Sequence, residues 1–244
     1  MEVHAHTHTA RKKWTHYFWE FLMLFLAVFC GFFAEYQLEH KIEREKGKQY
    51  IYSFYDDLKS DSSHISRLIR TFEKKIAAIE PRNSCFDILT RKGESNECML
   101  NLFINSEGFP DFVYTDRTLQ QLKNAGGLRL LKKADADSIL EYDKIIRFYI
   151  KSEGTALQEV QSNLRNTIYS IVNYNTWKEI SDTSIIPSSP LLYTGNGELV
   201  NKYFNLLDSY FFLCKYHLRE LIALKSKSSA LLAYFKEKYN RLPS

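Results

Sequence analysis

The run YFWEFLMLFLAVFCGFFAE, Tyr17 to Glu35, constrains this chain more than any other stretch. From Phe21 to Ala34 it is apolar without a break, and with Trp14, Tyr17, Phe18 and Trp19 before it and Tyr36 after it the helix covers 23 residues. Roughly 20 helical residues cross the hydrocarbon core of a bilayer, and aromatic side chains at both ends suit its two interfaces. A cleaved signal peptide fits poorly, because a cut after Ala34 leaves bulky Phe32 where a small residue is required. A lipoprotein cut before Cys30 meets the same objection at Phe29. The run therefore predicts an uncleaved membrane anchor over residues 14–36. Arg11, Lys12 and Lys13 abut it, whereas the first base beyond it is Lys41. This asymmetry predicts a cytoplasmic, His-rich tail over residues 1–13 and the bulk of the chain, residues 37–244, across the membrane.

Beyond the span, glycine and proline are scarce, 9 and 5 in 244 residues, which favours long helices and few turns. Ile51, Leu58, Ile65, Phe72 and Ile79 recur every seven residues, with Phe54, Leu68 and Ile76 between them. That is a helix seam of coiled-coil type over about 37–80, preceded by an almost wholly polar stretch, Glu35 to Lys48, expected to be a solvated stalk or a contact between protomers. Residues 81–114 read as an irregular cap with one short helix near Glu97 to Asn105. Thr115 or Asp116 opens a further helix that Gly126-Gly127 closes. A long helix is expected over 135–177, with Gly154 as a candidate kink, and another over 197–240. In the last, Tyr203, Leu207, Tyr210, Cys214, His217, Leu221, Leu224, Ser228, Leu231 and Phe235 alternate steps of four and three. The pattern predicts an all-α protein: one transmembrane helix continuing into an antiparallel bundle of long helices, with no strand pattern and no repeat.

Few residues depart from helix packing. Glu20 lies inside the anchor, where an ionisable side chain is a functional candidate by default. It is about 9 Å along the helix from Trp14, near enough to reach the interface, and His16 shares its face four residues earlier. Three readings stay open: contact with a second copy or a membrane-protein partner, an acid tolerated at the interface, or ion coupling. His4, His6 and His8 suggest a metal site only if extended, and a solvated tail is the plainer reading. Cys214 and His217 have a ligand-like spacing but both occupy the last helix's seam, which reads as core. Cys85 and Cys98 flank a loop-like stretch and are either a disulfide or two free thiols. TGNGE, Thr194 to Glu198, lacks the Lys-Ser/Thr of a phosphate loop. No catalytic constellation, cofactor motif or metal motif is present. The net charge of +4 forms no basic block interleaved with aromatics, so nothing points to nucleic acid.

The wording KKWTHYFWEFLMLFLAVFCGFFAE, continuing into HKIEREKGKQYIYSFYDDLKSD, and the later TLQQLKNAGGLRLLKKADADSILEYD resemble membrane-anchored proteins of Bacteroidota, in families of unknown function built as one N-terminal span plus a helical domain. The resemblance implies a Gram-negative inner membrane and a periplasmic bundle, and it implies no activity or catalytic residue. The expectation is a non-enzymatic scaffold or accessory subunit of a membrane complex, with the lipid bilayer and a homo-oligomer or membrane-protein partner as its contacts. The alternative is a ligand-sensing bundle that signals through a partner.

Overall fold

A computed structural model describes residues 14–92, 96–108, 112–183, 185–187, 192 and 196–239. The chain is all-α. Helix α1 runs unbroken from Trp14 to Ile79, 66 residues, through both Gly31 and Gly47. No proline falls within it, and it ends two residues before Pro81. Its first part is long and apolar enough to cross a membrane, with a mean hydropathy of 1.9 over the 18-residue window. Shorter helices follow: α2 Arg82–Lys92, α3 Asn96–Ser106, α4 Arg117–Asn124 and a 3₁₀ turn Gly127–Leu130. Then come α5 Lys133–Tyr169, α6 Tyr174–Thr183 and α7 Gly197–Lys238. Among the described residues there is no strand, only an isolated bridge between Val172 and Leu192.

The bundle forms because each long helix has one apolar face. Ile51, Leu58, Ile65, Phe72 and Ile79 of α1 are all within 1% of complete burial, each such side chain contributing about 1.5–3 kcal/mol of transfer free energy. Opposite them lie Leu207, Cys214, Leu221, Leu224 and Phe235 of α7, none more than 2% exposed. The helices run antiparallel. Phe54 near the start of the packed part of α1 meets Phe235 near the end of α7, ring centroids 6.0 Å apart. Farther along, Phe72 lies 6.4 Å from His217. Helix α5 packs on the other flank of α7, placing Tyr149 at 5.8 Å from the same imidazole.

Three expectations are corrected. The polar stalk ends sooner than its composition suggests, because Gly47 is buried. A Cβ at that position would come 2.5 Å from the carbonyl oxygen of Leu130, so only glycine lets the 3₁₀ turn lie against α1. The cap at 81–114 contains two helices, not one. The helix expected over 135–177 breaks at residues 170–173 and restarts as α6. Asn173 causes the restart: its side chain accepts from the amide of Asn175 at 2.9 Å, and its carbonyl accepts from Trp177 at 3.0 Å. The fold of α5 itself passes through Gly154 without interruption. The other boundaries fall within a few residues of expectation, and Gly126 adopts the left-handed conformation at φ 63°.

Candidate functional site

The helical repeat of 100° per residue divides the apolar part of α1 into two unlike faces. On one side Phe21, Phe25, Phe29 and Phe33 stack in a ladder with centroid spacings of 6.3, 6.1 and 6.5 Å. The other side is smaller and more polar. There His16 Nε2 lies 3.3 Å from Glu20 Oε1, both side chains about half exposed. Met23, Leu24 and Ala27 continue this face beside a shallow groove that also includes Trp19. Gly31 extends it one turn farther, and a Cβ there would meet nothing within 4 Å. Small residues four apart let a second helix approach closely, and a carboxylate–imidazole pair supplies a polar contact at the same interface.

The remaining candidates are distributed differently. His4, His6 and His8 lie outside the described residues. Cys85 and Cys98 form a disulfide, S–S 2.04 Å, that ties α2 to α3. Cys214 and His217 are both buried. Burial pushes the Cys214 thiol up to about 11 and the His217 imidazole down to about 4, so both are neutral core groups at pH 7. Among the described residues no group of three or more His, Cys, Asp or Glu is arranged to hold a metal ion.

Sequence reasoning missed the residues that fasten the bundle. Asp57 and Asp61, one turn apart on α1, are each 1% exposed. Asp57 accepts from the Thr118 amide at 3.1 Å and from Arg117 Nε at 2.8 Å, while Asp61 accepts from the Thr115 amide at 2.9 Å. Two carboxylates from one helix thus satisfy orphan amides at and before the N-terminus of α4 and complement its dipole. Burial nevertheless raises Asp61 to about 6. Lys75 does the converse, donating to the carbonyls of Asn105 at 3.1 Å and Glu107 at 2.6 Å at the C-terminal end of α3. Asp135 in the first turn of α5 is fully buried and accepts from Tyr234 at 2.7 Å, Lys238 at 2.6 Å and Tyr239 at 2.7 Å. Burial alone would raise its carboxyl; the donors from Lys238, Tyr239 and Tyr234 outweigh that and hold it below the usual carboxylate range. Arg82 pairs with Asp208 at 2.7 Å and lies 3.6 Å over the Phe211 ring.

These groups join helix ends. Among the described residues, Lys225 Nζ donates to Ser62 Oγ at 2.7 Å. Ser62 is 5% exposed, on the seam between α1 and α7. No protein-family model, curated protein or solved structure matches the chain. The two-faced apolar segment around Glu20 is therefore the candidate interaction site.

Proposed function

We propose that this protein is a single-span membrane component that acts by binding, as a scaffold or accessory subunit of a membrane complex. Residues 14–36 cross the inner membrane of a Gram-negative cell, residues 1–13 are cytoplasmic and the bundle is periplasmic. The resemblance of the anchor to Bacteroidota membrane-anchored families supports the setting, and Arg11 to Lys13 support the orientation. The observation that carries the reading is the contrast between the phenylalanine ladder and the face bearing His16, Glu20, Ala27 and Gly31. Phenylalanine is at home in lipid, whereas a carboxyl group in hydrocarbon is costly even when protonated. The polar face accordingly meets protein, either a second copy or a polytopic neighbour.

The test is co-purification in mild detergent with the bound proteins identified by mass spectrometry. Glu20→Leu removes both charge and hydrogen bonding and should abolish the oligomer or partner, with Glu20→Gln intermediate. Wild-type assembly by both variants would overturn the reading, leaving a carboxylate that only reaches for the interface. A second reading, a ligand-sensing bundle signalling through a partner, draws on a different observation, an open aromatic recess beside α6.

A further inference from the structure

The break between α5 and α6 turns the chain back so that aromatic side chains from both sides of it come together. Among the described residues, Tyr169, Val172, Tyr174 and Trp177 line a recess of about 330 Å³ there. The Tyr169 and Trp177 rings form adjoining walls, with centroids 5.2 Å apart and planes at 59°. Phe103 of α3 supports both, at 6.4 and 5.3 Å. The Asn173 cap and the Val172–Leu192 bridge hold the turn. Tyr174 is 73% exposed and Tyr169 47% exposed, so their rings remain open to solvent.

We propose that this recess binds a small N-methylated cation such as a trimethylammonium compound. Aromatic faces carry the negative lobe of the ring quadrupole and attract a cation within about 6 Å of the centroid. Three of the four described lining residues supply such faces, and none of the four is basic. Arg165, one turn before Tyr169, is paired with Glu107 at 3.5 Å, which offsets its charge. The lining selects the type of cation. A primary ammonium is strongly hydrated and needs several acceptors to replace its water, whereas a quaternary ammonium has no N–H to satisfy. Lipid headgroups of the protein's own membrane are remote, because Lys75, which holds the end of α3, lies about 60 Å along α1 from Tyr36. The ligand is therefore a free solute. The aromatic recess itself uses neither Glu20 nor the span; only the exclusion of lipid headgroups rests on the membrane reading of residues 14–36.

The test is calorimetric titration of the full chain in a nonionic detergent with choline chloride, in parallel with its neutral isostere 3,3-dimethylbutan-1-ol. Choline should bind saturably and the isostere about tenfold more weakly. Tyr174→Ala, at an exposed position, should weaken choline binding by about fivefold or more with an unchanged circular dichroism spectrum, while Tyr174→Phe retains the π face and stays within about twofold of wild type. Equal binding of the isostere would reduce the recess to an apolar surface and overturn the proposal. So would absence of saturable choline binding, or wild-type affinity in Tyr174→Ala.

Discussion

The two halves of α1 belong to one helix and obey opposite rules. From Trp14 to Lys46 no residue is buried, although this half contains the most apolar sequence in the chain. From Gly47 to Ile79 one whole face is buried, although the sequence there is rich in charge and the buried face includes Asp57 and Asp61. Apolar content therefore does not by itself decide burial within a chain; the available partner does. Among the described residues the first half is nowhere buried, with Glu43 paired to Arg129 at 3.9 Å near its end. The second half has α7, α4 and the 3₁₀ turn, and its acids are buried because helix-end amides are waiting for them.

The comparison breaks most severely at the base of the bundle. Asp135→Ala leaves Lys238, Tyr234 and Tyr239 without their common acceptor and should cost about 3–5 kcal/mol, measured by urea unfolding in nonionic detergent followed by near-ultraviolet circular dichroism. A loss under about 1 kcal/mol would mean that the three donors find water instead. Next comes a matched pair of truncations. Leu221→Ala empties a fully buried site and should cost about 2–5 kcal/mol. Phe29→Ala, at a position 56% exposed, should leave the same unfolding curve within about 0.5 kcal/mol. Equal effects would erase the distinction between the halves.

The smallest effect is the most diagnostic. The folded chain holds the Asp61 proton more tightly than the unfolded chain, with the carboxyl raised from 3.8 to about 6. Its contribution is thus fully present below about pH 4 and is lost as pH rises through about 6. Asp61→Asn keeps an acceptor for the Thr115 amide and should stabilise the protein at pH 7 by about 1–3 kcal/mol, with no gain at pH 4. The difference from wild type isolates Asp61 from His217, whose depressed value makes its own contribution fade in the opposite direction, as pH falls. A difference that does not vary between pH 4 and 7 would show that Asp61 is ionised throughout.

What could be read in advance followed from periodicity and from the breakers. The α7 seam, the length of α1, the turn at Gly126 and the His16–Glu20 adjacency all depend on residues close together in sequence. The fastenings were illegible for the opposite reason. Asp57 finds Thr118 61 residues away, and Asp135 finds Tyr239 104 residues away. On a helical wheel Asp61 falls in the apolar row itself, seven residues from Phe54 and from Leu68, and Asp135 lies seven before Tyr142, so these two acids were marked by their places in the seams while their distant partners were not. The break at 170–173 was hidden because Ile168, Ile171 and Val172 are all buried, so the apolar period runs on through the turn. Only Asn173, a cap residue inside SIVNYN, marks the restart. The aromatic recess was invisible with it, since Tyr169 and Trp177 belong to one helix in the unbroken reading and to two walls in the folded chain.

The absence of any break in α1 between Tyr36 and Ile79 has a mechanical consequence. With the apolar segment in a bilayer, the outer part of α1 is a stiff lever about 65 Å long. A tilt of about 20°, ordinary for a single span, swings its far end sideways by about 20 Å. If a neighbour grips Glu20, as proposed, it would also aim the far end of the bundle, and a rotation of the span by one residue's angle would turn the recess beside Trp177 toward a different part of its surroundings.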